Sequence, residues 1–521
     1  MAHRFKRAIT ATVAAVAMAG SAACAADSSF VHLEQGAVRG TTTNGVDAFL
    51  GIPYGASTAG HARWRAPRPA ASWPGIHLAT TFGPACQQDV GGSFGPYTPE
   101  YLVQRPVSED CLSLNVWRPS AAASPGAALP VMVWIHGGGF TGGSGAIPIY
   151  NGAAVASGGV IVVTVNYRLG VFGFLAHPDL SRDDGAPGNY GIQDLLLALH
   201  WVKDNVKALG GDPSRVTLAG QSAGSMSIHD LMVVPDARGL FQQVISESGP
   251  GMGYPPEPVA KAESTGKKLF TAAGVTTIEQ LRGLPAADVA KAANAVGTGL
   301  LAFAPVMDGR LIPSDPYASA PGTFIDTPVL AGMNADEAFS LPKTDKAGLE
   351  QDITAMFGVG NREAMRLYGV KNDVNAESAD RLMRRERGMA STYRWASART
   401  DTGTRPVFLY LFDHVEPGSG VWGSFHTSEV PYALGNLDAA KGRLFTPLDR
   451  AISRDMTAAW VNFIKTGNPN AEGHATWPRY DAADPRIMHI GVPMQAEPLL
   501  DAEKRKFFDA YVESGGKLSL F

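Results

Sequence analysis

The stretch that decides the fold is the pentapeptide Gly220-Gln221-Ser222-Ala223-Gly224, which directly follows the apolar residues 216–219. The apolar run is typical of a buried strand, and a helix is expected to begin after the pentapeptide. A serine between two glycines at such a junction is typical of a nucleophile turn, because the bend leaves no room for flanking side chains. The motif alone is weak evidence. Its value depends on whether the chain also supplies a base, an acid and an oxyanion hole.

Further apolar runs predict a sheet around this turn. Residues 131–135, 160–165, 328–333 and 407–412 read as strands buried on both faces. Between residues 188 and 208 apolar positions recur at three- and four-residue spacings, which predicts a helix. The alternation of strands and helices predicts an α/β fold with a large, mostly parallel central sheet flanked by helices. Its ligand site is expected at the carboxyl ends of the strands.

The N-terminus has the pattern of a secretory signal peptide over residues 1–25. Basic residues precede an apolar run over residues 8–19, and a cluster of small residues follows. We expect cleavage after Ala25 or Ala26, and export to the periplasm or the medium of a bacterium. A lipid anchor on Cys24 is the alternative.

The composition argues against several kinds of partner. The chain has 44 basic and 48 acidic side chains and no basic stripe, so neither nucleic acid nor an anionic membrane surface is an expected partner. There is no second long apolar segment, so no membrane span is expected. No His-Glu-x-x-His motif or Cys/His cluster occurs, and we expect neither a metal nor an organic cofactor. The sequence does not indicate an oligomeric state.

Two cysteines remain after the predicted cleavage, Cys86 and Cys111. Export to an oxidising compartment favours a disulfide between them. Such a bridge would stabilise the fold by roughly 3–4 kcal/mol on the chain-entropy account. Two unpaired buried thiols are the alternative.

A glycine-rich loop follows the strand predicted at residues 131–135, with the sequence His136-Gly137-Gly138-Gly139-Phe140. Consecutive glycines let backbone N–H groups approach a ligand without intervening side chains. The N–H groups of Gly138, Gly139 and Ala223 are therefore candidates for an oxyanion hole. The alternative is an ordinary glycine-rich turn, and the nearby nucleophile motif favours the functional interpretation.

Candidates for the base and the acid come in pairs. His414 and His426 both follow the last long predicted strand, and their positions do not separate them. Asp336 and Glu337 are adjacent after the strand that ends at residue 333. Only one carboxylate of such a pair can face inward to hold an imidazole in one tautomer.

Several longer blocks extend the pattern beyond the turn. Residues 109–116 read Glu-Asp-Cys-Leu-Ser-Leu-Asn-Val, and supporting blocks lie at 63–67, 166–170, 188–194 and 460–470. With the pentapeptide, these blocks resemble the type B carboxylesterase/cholinesterase family of serine hydrolases over roughly residues 30–500. The resemblance implies an α/β-hydrolase fold, one catalytic domain over residues 26–521 and small-molecule esters as substrates.

The resemblance also chooses among the candidates. The family places its catalytic histidine in a Gly-x-x-His-x-x-Glu pattern, which residues 423–429 match. It therefore implies His426 as the base, Glu337 as the acid and Ser222 as the nucleophile, in the chain order of α/β-hydrolases. Ser248 aligns with a family serine that hydrogen-bonds the acid, and Glu429 is expected to be a structural or pocket carboxylate.

Structural roles are implied for further residues. The resemblance implies a disulfide between Cys86 and Cys111. It also implies two buried ion pairs, one between Arg65 and Glu109 and the other between Arg168 and Asp194.

Departures from the family pattern argue against a cholinesterase. Gln221 stands where many members have a glutamate beside the nucleophile, which should weaken the attraction for cationic substrates. Residues 87–110 contain no tryptophan to bind a quaternary ammonium group. Gly299 and Leu301 replace acyl-pocket aromatics and only Phe303 remains, so a roomier acyl site is predicted.

These observations predict an exported serine carboxylesterase that works through an acyl-enzyme. One alternative is the same chemistry on a specialised natural or xenobiotic ester, for example a mycotoxin, a phthalate or a carbamate. Another is a non-catalytic adhesion protein of the same family. Such proteins characteristically lose triad residues, whereas all three are present here.

Overall fold

The structure is a computed structural model. It describes residues 29–124, 126–183, 188–250, 254–297, 301–318, 322–337, 340–358 and 361–518. The predicted signal peptide, including Cys24, lies outside the described residues.

Helices lie on both sides of the central sheet. In chain order they are Ala153–Ser157 (α1), Gly170–Phe174 (α2), Pro178–Asp183 (α3), Tyr190–Asn205 (α4), Ala223–Val233 (α5), Val259–Ala273 (α6), Ile278–Gly283 (α7), Ala286–Val296 (α8), Lys346–Phe357 (α9), Asn361–Tyr368 (α10), Ala376–Thr402 (α11), Val430–Ala433 (α12), Pro447–Thr466 (α13) and Ala502–Glu513 (α14). Within the described ranges, none of these helices is both long and apolar enough to cross a membrane.

The strands alternate with these helices along most of the chain. They are Phe30–Leu33 (β1), Gly36–Arg39 (β2), Thr41–Thr43 (β3), Val46–Pro53 (β4), Ile76–Leu78 (β5), Ala85–Cys86 (β6), Val107–Ser108 (β7), Ser113–Pro119 (β8), Leu129–Ile135 (β9), Ile161–Val165 (β10), Gly211–Gln221 (β11), Gln243–Glu247 (β12), Glu257–Pro258 (β13), Val306–Met307 (β14), Val329–Asn334 (β15), Val407–Phe412 (β16), Arg486–Ile490 (β17) and Gln495–Pro498 (β18).

Eleven of these strands form one mixed sheet in the order β18-β17-β16-β15-β12-β11-β9-β10-β8-β4-β3. The central strands from β17 to β10 run parallel to their neighbours. The pairs at the two edges are antiparallel. The predicted α/β fold with a large central sheet is confirmed, and the antiparallel edges qualify the expectation of a mostly parallel sheet.

The four predicted apolar runs lie in the central strands β9, β10, β15 and β16, close to their expected bounds. The predicted helix is α4. The strand before the pentapeptide, β11, is longer than expected and begins at Gly211, with a register irregularity between Gly211 and Val216. Pro213 lies in that irregular part, and its missing N–H cannot contribute to the ladder.

The sheet separates two hydrophobic cores, and strand β9 shows why its run is continuously apolar. Val131, Val133 and Ile135 pack into one core. Met132 and Trp134 pack into the other. Successive side chains of a strand point to opposite faces, so a strand covered on both sides has no polar face.

A disulfide joins Cys86 to Cys111, with their Cα atoms 4.9 Å apart. The predicted bridge is confirmed. It closes residues 87–110 into what we call the disulfide loop.

One expected ion pair is wrong by two residues, since Glu109 pairs with Arg63 and not with Arg65. Arg63 Nη2 donates to Glu109 Oε2 at 2.6 Å, and the Arg63 side chain is buried. Arg65 is exposed and donates to the carbonyl of His61. Trp64 between them has a φ of 52°, and this left-handed residue turns Arg63 inward and Arg65 outward.

The second expected ion pair, between Arg168 and Asp194, is confirmed. Arg168 donates from Nε at 2.8 Å and from Nη2 at 2.7 Å to the two oxygens of the buried carboxylate. Burial raises the pKa of Asp194, and the guanidinium partly opposes that shift. The bidentate pair ties the segment after β10 to helix α4.

Candidate active site

Ser222 lies on the sharp turn between β11 and α5, at the carboxyl end of the central sheet. Its backbone has a φ of 57° and a ψ of −125°, a strained conformation that costs roughly 1–3 kcal/mol in residues other than glycine. A Cβ atom on Gly224 would lie 2.0 Å from the carbonyl oxygen of Ile135, and one on Gly220 would lie 2.7 Å from the same oxygen. Both glycines are therefore required by the close approach of strand β9.

The glycine-rich loop after β9 lies against this turn. A Cβ atom on Gly137 would lie 3.0 Å from the Cβ atom of Ser222. Gly138 and Gly139 have φ values of 111° and 61°. In the described part of the chain neither of their N–H groups is paired with an acceptor. The N–H of Ala223 is the first of helix α5 and has no acceptor within the helix. Three backbone donors are thus available beside Ser222.

His426 and Glu337 are in direct contact through Nδ1 of the imidazole and Oε2 of the carboxylate. The other carboxylate oxygen accepts hydrogen bonds from Ser248 Oγ at 2.6 Å and from the backbone N–H of Asn334 at 2.7 Å. His426 and Glu337 are about 4% exposed. With three donors around one buried carboxylate, the orientation of the imidazole is determined by its surroundings.

The electrostatics of the pair favour a charged imidazole. Burial alone would lower the pKa of His426, but the charge and the hydrogen bond of Glu337, together with the charge of Glu429, outweigh burial and raise the pKa above 6.5. With Nδ1–H donating to Glu337, Nε2 is the acceptor nitrogen of the neutral ring. The raised pKa means that the imidazolium, once formed, is stabilised by the carboxylate.

Asp336, the neighbour of Glu337, faces away from the imidazole. It pairs with Arg381 at 2.8 Å and accepts from the backbone N–H of Ser424 at 3.0 Å. A Cβ atom on Gly423 would lie 2.2 Å from the Asp336 carboxylate, and Gly423 has a φ of 64°. Gly423 is the glycine of the Gly-x-x-His pattern. A side chain at this position would collide with Asp336, because the loop that carries His426 passes close to the loop that carries Asp336 and Glu337.

His414, the other candidate base, is occupied elsewhere. Its Nε2 lies 2.7 Å from Asp449 Oδ1, and the same oxygen accepts from the hydroxyl of Tyr432. Asp449 also caps helix α13 through Thr446. His414 is therefore part of the packing around α13.

Gln221 connects the glycine-rich loop with the imidazole. Its side-chain Nε2 lies 3.1 Å from Nε2 of His426. A Cβ atom on Gly137 would lie 2.9 Å from Oε1 of the same side chain. In the sequence Gln221 was notable because it replaces a glutamate and so removes a negative charge. The structure shows that its side-chain amide contacts the His426 imidazole.

The disulfide loop also reaches the histidine, through a residue that the sequence did not single out. The hydroxyl of Tyr97 donates to the backbone carbonyl of His426 at 2.9 Å. The ring of Tyr97 packs edge-on against Tyr101 and Phe425. An aromatic residue between the bridged cysteines was the only available signal, and it did not specify this partner.

Arg443 fastens this loop to the segment that precedes His426. Its Nη2 donates to the carbonyl of Pro96 at 2.6 Å and to Thr98 Oγ1 at 3.0 Å. Its guanidinium also pairs with Glu100 and with the buried Glu416. We call Arg443, Glu100 and Glu416 the arginine cluster. It is a buried ionic contact between two parts of the chain that are distant in sequence.

The region expected to form the acyl site is only partly described. Gly299 lies outside the described residues. Leu301 lines a cavity of about 30 Å³ together with Phe140 and Met226, and Phe303 is buried. The roomier acyl site remains a prediction.

Two further buried carboxylates lie near Glu337. Glu429, which was expected to be a structural or pocket carboxylate, accepts from the side-chain amide of Asn334. Glu247 precedes Ser248 and accepts from the indole N–H of Trp460 at 2.8 Å. Sequence analysis missed Glu247 and Asn334, and only their adjacency to Ser248 and to the acid loop hinted at them.

The fold and the geometry define a class of protein, a hydrolase with an α/β-hydrolase fold and a serine on its nucleophile turn. Comparison with known proteins defines the family. The carboxylesterase family matches residues 27–508. The chain therefore belongs to the carboxylesterase family, and it is a carboxylic ester hydrolase.

Two similar proteins are named as esterases. The chain is 36% identical over 473 residues to fumonisin B1 esterase of Sphingopyxis macrogoltabida, covering 86% of this chain and 84% of that protein. It is 36% identical over 495 residues to para-nitrobenzyl esterase of Bacillus subtilis (strain 168), covering 91% and 97%. A solved structure of PNB esterase superposes with a TM-score of 0.79 at 33% identity, covering 92% of this chain and 99% of that one.

Proposed function

We propose that this enzyme hydrolyses small-molecule carboxylic esters through an acyl-enzyme on Ser222, with His426 as the base and Glu337 as the acid. The observation that carries the proposal is the contact between buried Glu337 and His426, at the carboxyl end of the sheet whose nucleophile turn bears Ser222. The three available backbone donors beside Ser222 support it.

In this mechanism each group has one task. Nδ1–H of His426 donates to Glu337, so Nε2 takes the hydroxyl proton as Ser222 attacks the ester carbonyl. The N–H groups of Gly138, Gly139 and Ala223 hold the oxyanion. The loss of one such donor typically costs about 2.7–4 kcal/mol of transition-state stabilisation.

The tetrahedral intermediate then collapses. His426 returns the proton to the departing alcohol, and the acyl group stays on Ser222 as an ester. A water molecule, deprotonated by the same imidazole, attacks that ester, and the imidazolium returns the proton to the Ser222 oxygen as the acid is released. The chemistry needs no group beyond the side chains and backbone donors named.

The test is rapid-mixing kinetics with p-nitrophenyl butyrate. We expect a burst of p-nitrophenol that is absent in Ser222→Ala. The control is Ser157→Ala, because that exposed hydroxyl donates to the carbonyl of Ala154, in helix α1. Normal turnover by folded Ser222→Ala would overturn the assignment of the nucleophile.

A specialised ester is the second candidate, favoured by the similarity to fumonisin B1 esterase and to phenmedipham hydrolase of Pseudarthrobacter oxydans, which is 34% identical. A panel containing fumonisin B1, phenmedipham and simple p-nitrobenzyl esters separates the two. A kcat/KM for one panel member far above the others would establish specialisation, and similar values would establish a broad carboxylesterase.

We also propose that the enzyme is exported after removal of residues 1–25. Support comes from the basic, apolar and small-residue order of that segment and from the Cys86–Cys111 disulfide. Intact-mass analysis of protein recovered outside the cytoplasm should give a chain that begins at residue 26 or 27. A mass that retains the leader would contradict export by cleavage, and a lipid adduct lost in Cys24→Ala would establish the anchored alternative.

A further inference from the structure

Tyr97 joins the disulfide loop to residues 423–429, which we call the histidine loop because they carry the proposed base. The hydroxyl of Tyr97 donates to the backbone carbonyl of His426 at 2.9 Å. The proposed mechanism gives this hydroxyl no task, since a backbone carbonyl takes no part in the proton transfers. The bond acts on the backbone of His426, and the backbone determines where the imidazole lies.

The peptide group that accepts this bond leads into a strained residue. Thr427 has a φ of 84°. A positive φ is a genuine outlier for a β-branched residue. Such conformations cost roughly 1–3 kcal/mol and persist only where the surrounding structure holds the backbone in place. The backbone that follows His426 therefore depends on its contacts to keep its conformation.

The phenol of Tyr97 remains a hydrogen-bond donor in this environment. Burial, followed by the charge of Glu337, raises the pKa of Tyr97, and the nearby side chain of Thr427 opposes the shift only in part. The hydroxyl therefore keeps its proton at neutral pH, and the bond to the carbonyl of His426 is not lost by ionisation.

Bonds to the neighbouring acid segment hold the histidine loop two residues before His426. The backbone N–H of Asp336 donates to the carbonyl of Ser424 at 3.0 Å, and the N–H of Ser424 donates to the Asp336 carboxylate at 3.0 Å. The contact of Tyr97 lies further along, at His426 itself. It thus supports the part of the loop where the backbone is strained.

A tight turn fixes the backbone of Tyr97. Its N–H donates to the carbonyl of Phe94 at 3.0 Å, and the N–H of Phe94 donates to the carbonyl of Tyr97 at 3.3 Å. The ring of Tyr97 lies 4.9 Å from that of Phe94, and it meets Phe425 edge-on at 5.4 Å. Because Phe425 precedes His426, the ring and the hydroxyl of Tyr97 contact the same loop.

The arginine cluster holds the residues on both sides of Tyr97. Arg443 Nη2 donates to the carbonyl of Pro96 at 2.6 Å and to Thr98 Oγ1 at 3.0 Å. The same guanidinium lies 5.8 Å from the ring centre of Phe425. Arg443 is buried and paired with buried carboxylates, and such an ion pair is costly to break. Tyr97 is therefore held firmly enough to hold another segment in turn.

We propose that Tyr97 is a positioning residue for His426, whose hydroxyl holds the strained peptide between His426 and Thr427 so that the imidazole stays against Glu337. Small displacements matter here, because a misplacement of about 1 Å can cost about 100-fold in rate. The effect on catalysis rests on the proposed function of His426. The effect on the position of the imidazole does not.

Kinetics of Tyr97→Phe test the proposal, because this change removes the hydroxyl and keeps the ring. We expect kcat for p-nitrophenyl butyrate to fall by roughly 10- to 100-fold with little change in KM. Tyr511→Phe is the matched control, since that hydroxyl also donates to a backbone carbonyl at 2.9 Å, that of Met356, between helices α14 and α9. Equal kcat values for the two variants would overturn the proposal.

The pH profile gives a readout that a loss of packing alone would not move. Burial lowers the pKa of His426, and the charge and hydrogen bond of Glu337, with the charge of Glu429, raise it. When the imidazole moves away from Glu337, the raising effect weakens. The acid limb of the kcat/KM profile of Tyr97→Phe should therefore move to lower pH. An unmoved limb would show that Tyr97 contributes only to packing.

Nuclear magnetic resonance measures the position of the imidazole without turnover. The Nδ1–H of His426, bonded to Glu337, should give a downfield proton signal that is absent in His426→Gln and moves upfield in Tyr97→Phe. The signal can be recorded in the Ser222→Ala background as well. A moved signal together with turnover by Ser222→Ala would overturn the proposed triad alone, whereas an unmoved signal would overturn the role of Tyr97.

A second variant keeps the proposal testable if Tyr97→Phe does not fold. Phe94→Ala removes an exposed ring that packs on Tyr97 and leaves the hydroxyl in place. The downfield signal of His426 should move in the same direction by a smaller amount, and kcat should fall. An unmoved signal with wild-type kcat would overturn the proposal.

Discussion

The side-chain amide of Gln221 lies 3.1 Å from Nε2 of His426, so the residue before the nucleophile contacts the imidazole itself. In this arrangement a neutral donor faces the ring atom that accepts a proton in the proposed mechanism. We therefore expect Gln221 to influence both the charge of the proposed substrate site and the protonation of His426.

Gln221→Glu should raise the pKa of His426 further, because a carboxylate would stand beside Nε2. The acid limb of the kcat/KM profile is expected to move to higher pH, and esters with a quaternary ammonium group should gain relative to neutral analogues. Gln104→Glu, at an exposed position, is the control. No change in either readout would mean that the amide does not contact the imidazole in solution.

Glu337→Gln should lower kcat by about 10⁴-fold, as expected when the carboxylate that orients a catalytic imidazole is neutralised. Asp336→Asn is the matched variant, since that carboxylate faces Arg381 and should matter far less. Steady-state kinetics on p-nitrophenyl butyrate measure both. A larger loss in Asp336→Asn than in Glu337→Gln would reverse the assignment of the acid.

Arg443→Met should destabilise the fold by about 3–5 kcal/mol, because Glu416 and Glu100 would lose the only cation of the arginine cluster. Arg450→Met breaks the exposed pair with Asp438 and should cost about 0–1 kcal/mol. Urea unfolding of both variants provides the comparison. Equal losses would show that the arginine cluster does not hold the disulfide loop in place.

Glu247→Gln should change how stability depends on pH. Burial raises the pKa of Glu247 from 4.5 to about 8 in the folded protein. The contribution of the protonated side chain to the free energy of unfolding is therefore fully present below pH 4.5 and is lost as the pH rises through 8. Across that window the wild type should lose stability relative to the variant by up to roughly 1.4 kcal/mol per pH unit. Denaturant melts at several pH values measure this, with exposed Glu279→Gln as the control. A constant difference would contradict the raised pKa.

The acyl site should accept chains longer than acetyl, because the family resemblance implies that Leu301 replaces an aromatic side chain of the cholinesterases. A series of p-nitrophenyl esters should show no fall in kcat/KM from acetate to butyrate. Leu301→Phe should lower the butyrate value more than the acetate value. A strict preference for acetyl esters in the wild type would contradict the roomier site.

Much of the fold was predictable from local patterns. The continuous apolar runs form central strands, because both faces of the sheet are covered. The apolar composition of each run is therefore enough to indicate that it is buried. The role of the glycines around Ser222 was also predictable, because a sharp turn leaves no room for side chains at these positions. The choice between Asp336 and Glu337, and between His414 and His426, came from a family resemblance and not from the residues themselves.

Other features depended on contacts that no local pattern encodes. Arg63, and not Arg65, pairs with Glu109, because the left-handed backbone at Trp64 reverses the two side chains. Tyr97 bonds the histidine loop from 329 residues away, and Glu247 meets Trp460 across 213 residues. Such contacts depend on how segments that are distant in sequence pack together in the folded protein.

The sequence by itself determined the sheet, the nucleophile turn, the glycine-rich loop and the family. Each of these features depends on short contiguous stretches, whose backbone shape or burial follows from their own residues. Only the tertiary structure decided which groups surround His426. The contacts of Gln221, Asn334, Glu247 and Glu429 arise from packing between distant segments, and the protonation of a buried carboxyl or imidazole group depends on all of its neighbours at once.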